Sequence, residues 1–154
     1  MNFHASKGEI AGNISENNKY GSKFPDASRL WIHSNRFRNN DRWGLYMYNT
    51  LDEETRVAGN SVIYLNEFSN NGNYPLRVHA PAHNVLAIDN LYSNNELNDL
   101  RIVDAQFFIC PNSTESEMTI AEERPVQIAV PTQCDLANVA DLFPLSLVYL
   151  PLSQ

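Results

Sequence analysis

Polar and apolar positions along this chain fall into one pattern, written three times. Aligned on Phe37, Phe68 and Tyr92, an asparagine stands two residues before (Asn35, Asn66, Asn90) and another three residues after (Asn40, Asn71, Asn95). Five further on comes a leucine (Leu45, Leu76, Leu100), and two beyond it a second apolar residue (Met47, Val78, Ile102). Ile32, Ile63 and Ala87 stand five residues before the aromatic. NRFRNNDRWGLYM, NEFSNNGNYPLRV and NLYSNNELNDLRI are thus copies of one motif, separated by 31 and 24 residues. The extra seven fall between Tyr48 and Ser61, where TLDEETRVAGN reads as an inserted polar loop. Self-similarity at this period is the signature of a stacked repeat, in which each unit buries its apolar face against its neighbours.

Within each copy the apolar residues alternate at period two, as on short β-strands. The pattern predicts inward stacks of Phe37/Phe68/Tyr92, Leu45/Leu76/Leu100, Met47/Val78/Ile102 and Ile32/Ile63/Ala87. Asparagine suits the turns for two reasons. It tolerates the left-handed backbone, and its amide can bond the equivalent amide above and below as a ladder. The chain holds 20 asparagines against 6 glycines, which favours ladders over ordinary loop composition.

The order apolar, Asn, aromatic, Ser-Asn-Asn, turn, Leu-x-apolar resembles the right-handed parallel β-helix repeat of pectin-lyase-like proteins. The resemblance covers roughly residues 28–104. It implies an all-β fold, a right-handed parallel β-helix of about three to five coils. Because that architecture carries lyases, glycosidases, epimerases, tailspikes and purely structural pieces, it does not specify an activity. The enzyme motifs of the family are missing. There is no Arg-x-Pro-x-x-Arg and no Asp-Pro-His-Asp, and Arg101-Ile102-Val103 lacks the lysine of Arg-Ile-Lys. No catalytic residue carries over.

Outside the clear repeats, residues 10–27 read as a degraded coil, with Ile14 placed 23 before Phe37 and Asn17 three after Ile14. The repeats end near 104, so the chain divides into coils over 1–104 and a C-terminal capping or assembly segment over 105–154. In that segment FFIC is a short apolar run, PVQIAV a strand between prolines, DLANVADLF a short helix and SLVYLPL a last strand interrupted by Pro151. Cys110 and Cys134 lie in this segment, and spacing leaves open whether they pair.

Composition narrows the function classes. The net charge of −7 argues against a nucleic-acid partner, whose phosphates require a basic surface. No apolar run reaches membrane-spanning length. MNFHASKGEI lacks the basic and apolar regions of a signal peptide, which leaves a protein cytosolic at synthesis, a trimmed piece, or a virion part that needs no secretion; an extracellular surface or virion location is favoured. Asp89 with Asp104, the Asp52-Glu53-Glu54 cluster and His79 with His83 are read as surface groups rather than catalytic or metal sites. Pro81 excludes the helical spacing a zinc pair would need, and no cofactor is expected.

Two outward surfaces stand out. Arg42, Trp43, Tyr46, Tyr48, Arg77, His79 and Arg101 should line one side of the stack, an aromatic and cationic strip suited to a polysaccharide. Trp31, Val62, Tyr64, Leu86 and Ile88 form an apolar outer face that needs a cover, either the C-terminal segment or a symmetry mate in a homo-oligomer or larger assembly. The sequence therefore reads as a non-enzymatic structural or attachment module of a surface, tailspike-like or virion assembly. The alternative is a subunit or fragment of a polysaccharide-processing enzyme.

Overall fold

The computed structural model describes residues 8–27, 29–48, 59–79, 83–96, 100–103, 107–110, 120–122 and 128–129, with the backbone alone at 83–84 and from 100 onward. Four successive coils each supply three strands. The first coil holds β1 (Gly8–Ala11), β2 (Ile14–Glu16) and β3 (Ser22–Pro25). The second holds β4 (Leu30–His33), β5 (Arg36–Arg38) and β6 (Leu45–Tyr48). The third holds β7 (Gly59–Tyr64), β8 (Glu67–Ser69) and β9 (Leu76–His79). The fourth holds β10 (His83–Ile88), β11 (Leu91–Ser93) and β12 (Leu100–Val103). β13 (Phe107–Cys110), β14 (Ile120–Glu122) and β15 (Ile128–Ala129) follow.

Every pairing is parallel, and every strand pairs with its equivalent one coil away. Three sheets result, ordered β1-β4-β7-β10-β13-β15, β2-β5-β8-β11 and β3-β6-β9-β12-β14. The chain is an all-β parallel β-helix, with no helix among its described residues and hence none long and apolar enough to cross a membrane.

The expected inward stacks form over the described side chains; those of Leu100 and Ile102 lie outside them. The rings of Phe37 and Phe68 stack at 5.1 Å, and those of Phe68 and Tyr92 at 5.2 Å. Ile32, Ile63, Ala87, Leu45, Leu76, Met47 and Val78 are all buried in the same cluster. Strand register puts like on like, which is why a repeated sequence yields a continuous core: Leu45 pairs with Leu76, Met47 with Val78 and Ile32 with Ile63. Gly21 and Gly44 occupy one column, above which Pro75 follows in the third coil. A Cβ on Gly44 would lie 2.6 Å from the Pro75 carbonyl oxygen, so only glycine fits there.

The first coil is complete, but its register differs from the sequence expectation. β2 pairs with β5 as Ile14 with Arg36 and Ser15 with Phe37, so the offset is 22 residues rather than 23. Ser15 takes the aromatic position, and its hydroxyl donates to the Gly21 carbonyl at 2.9 Å. Ile14 points outward and is 51% exposed. The apolar isoleucine suggests the core site, but asparagine geometry sets the register.

The sheets also run past Val103, where the sequence motif ends. β13 pairs with β10, β14 with β12, and β15 with β13. FFIC and part of PVQIAV therefore extend the stack. Backbone pairing needs no Asn-aromatic motif, so the sheets outlast the repeat. The expected helix and last strand, the inserted loop at 49–58 and Cys134 lie outside the described residues.

Candidate functional site

Two ladders of asparagine hold the coils in register and so position both outer surfaces. In the first, the Asn13 side-chain amide donates to Asn35 Oδ1 at 3.1 Å, Asn35 to Asn66 at 2.9 Å and Asn66 to Asn90 at 3.0 Å. In the second, Asn18 donates to Asn40 at 3.4 Å, Asn40 to Asn71 at 2.9 Å and Asn71 to Asn95 at 2.9 Å. Each receiving oxygen also accepts the backbone N–H of the asparagine that donates to it, as Asn66 Oδ1 does from Asn35 N at 3.1 Å. The second amide hydrogen reaches a carbonyl one coil back: Asn66 to Ile32 O at 2.8 Å, Asn71 to Phe37 O at 3.0 Å. Buried amides are thereby satisfied on both sides. Sequence reading missed Asn13 and Asn18. The signal was NISENN, which is the repeat with serine in place of the aromatic.

The turns divide the labour of the Asn-Asn pairs. Asn17, Asn39, Asn70 and Asn94 take positive φ, while the next residue enters the ladder. A second left-handed column comprises Gly12, Ser34, Leu65 and Asp89, each just before a ladder asparagine.

The strip lies on the outer face of the β3-β6-β9-β12-β14 sheet. Trp43 and Tyr46 lie 4.6 Å apart, and Tyr46 stacks on Tyr48 at 4.4 Å. The Arg77 guanidinium lies 4.7 Å from the Tyr46 ring centre and 5.0 Å from that of Trp43. The structure adds Tyr20, stacked on Trp43 at 4.9 Å, and Lys23, whose ammonium lies 3.9 Å over Tyr20. Arg42 and Lys19 flank the same ring at 5.9 and 5.6 Å. His79 is half-buried at the end of β9, and Arg101 pairs in register with Arg77. Tyr20 was legible in the sequence, because Tyr20-Gly21 aligns with Trp43-Gly44 and Tyr74-Pro75.

The apolar outer face belongs to the β1-β4-β7-β10-β13-β15 sheet and is graded along the stack. Val62, Leu86 and Ile88 are fully buried within the single chain, yet outside the core cluster. Trp31 and Tyr64 are half-buried. In the first two coils the face turns polar: His33 Nε2 lies 2.7 Å from Glu9 Oε1, and the His33 ring packs on Trp31 at 4.3 Å. Among the described residues, no group of three or more His, Cys, Asp or Glu could hold a metal.

Fold and surface together define a parallel β-helix with an aromatic–cationic strip along one sheet. Comparison with models of protein families, with curated proteins and with solved structures returned no match.

Proposed function

We propose that this chain is a non-enzymatic attachment module, a pectin-lyase-like β-helix of a surface, tailspike-like or virion assembly that binds acidic polysaccharide along its strip. The supporting observation is the clustering of Tyr20, Trp43, Tyr46 and Tyr48 with Lys19, Lys23, Arg42 and Arg77. Four of the chain's 11 lysines and arginines gather on one face of a protein with net charge −7. Rings give sugars a stacking surface, and the cations above them give carboxylates charge-assisted partners. Coils about 4.8 Å apart repeat these groups along a polymer axis.

Titrating the protein with polygalacturonate and with neutral dextran, read by isothermal titration calorimetry, tests this. Saturable binding of the acidic polymer alone is expected, weakened about tenfold or more by Trp43→Ala or Arg77→Ala in folded protein. Equal indifference to both polymers would overturn it. Shortening of the polymer during incubation would favour a processing enzyme instead.

A further inference from the structure

The asparagine ladders are polar objects, and their two ends are chemically unlike. Within the stack each side-chain oxygen accepts two hydrogen bonds from the coil before it, from the amide and the backbone N–H of the equivalent asparagine. The direction is the same in the second ladder. At the first coil the pattern stops. Among the described residues, Asn13 Oδ1 and Asn18 Oδ1 accept nothing.

The donors at that end are displaced as well. Interior asparagines send their second amide hydrogen to a carbonyl one coil back, as Asn35 does to Ile10 O at 2.8 Å and Asn40 to Ser15 O at 3.1 Å. Asn13 instead folds onto Ala11 O at 3.0 Å, and Asn18 onto Glu16 O at 2.9 Å, both within their own coil. Each terminal asparagine therefore presents an acceptor oxygen that no described protein group uses, and a donor held locally. The surroundings are open, with Glu9, Ala11, Gly12, Asn17 and Asn18 exposed.

We propose that the first-coil edge at residues 11–18 is a docking edge for a parallel β-strand of another polypeptide that carries Asn-x-x-x-x-Asn. That strand would give each of Asn13 and Asn18 the amide and backbone N–H they lack, and its carbonyls would receive their second amide hydrogens. β-Strand addition to a sheet edge is an established mode of recognition, in which main-chain bonds supply affinity and side chains supply specificity. Ladder polarity sets the partner's direction. Two such edges meeting head to head would bring acceptor against acceptor, so this end does not pair with itself through the ladder.

The test titrates the isotope-labelled full chain with a capped peptide of residues 32–41, IHSNRFRNND, which carries both asparagines and the carbonyls that interior coils use. Saturable amide shifts confined to residues 11–18 are expected at millimolar peptide. Peptides with Asn35→Asp and Asn40→Asp keep the shape but lose the amide donors. Those with Asn35→Ala and Asn40→Ala lose them without added charge. Both should bind about tenfold more weakly or worse. Asn13→Ala with Asn18→Ala in the protein should do the same, with an unchanged circular dichroism spectrum showing that the stack is intact. Equal binding by all peptides would reduce the contact to unselective backbone pairing and overturn the proposal, as would the absence of shifts.

Discussion

Asn66 shows how much one side chain carries here. It is 1% exposed and takes part in four hydrogen bonds through its side chain, two accepted from Asn35 and two donated, to Asn90 and Ile32 O. Asn66→Ala strands several buried groups at once, so a loss of about 3 kcal/mol is expected in denaturant unfolding. Asn13→Ala, at the open end, should cost less than half as much, since water can replace its partners. A left-handed leucine makes the opposite case. Leu65 has φ of 50° and is 50% exposed, so it bears backbone strain while burying little. The equivalent position in the first coil is glycine, Gly12 with φ of 66°. Leu65→Gly should raise stability by about 1 kcal/mol, read as a higher midpoint with an unchanged slope.

At the level of elements, the coils differ mainly in how they return from one sheet to the next. The second coil ends at Tyr48 and the third begins at Gly59, whereas the third ends at His79 and the fourth begins at His83. The shorter connection shows what the geometry requires. Removing seven residues between Asn49 and Ala58 should leave unfolding cooperative and move the midpoint by only a few degrees, because closure entropy changes slowly with loop length. A broad transition would show that the insertion packs against the coils. The strip is likewise a property of strands in register. Tyr46 faces Arg77 because β6 pairs with β9 as Leu45 with Leu76. Any register slip would scatter the cluster.

The whole molecule is a stack whose outer surfaces vary along its axis. The buried state of Val62, Leu86 and Ile88 is reached within one chain, so Ile88→Glu should act on folding rather than on assembly. A loss of roughly 3–5 kcal/mol is expected, the cost of an uncompensated buried charge, with the unfolding midpoint lowered at every protein concentration. A variant that kept its midpoint but lost mass by light scattering would assign that face to a neighbouring copy. Sequence alone determined the repeat, the parallel stacking and the interior columns, because those follow from residues recurring at fixed offsets, and each such residue meets its own equivalent. It also located most of the strip. Tertiary structure decided what the offsets left open, since the first coil offers both 22 and 23. It set the first coil's register, where Ser15 rather than Ile14 lies beneath Phe37. It carried the sheets past Val103, where the repeated motif stops. And it closed Tyr20 and Lys23 onto Trp43, since distances between side chains on neighbouring coils depend on how the turns pack, and turn packing is settled only when the coils stack.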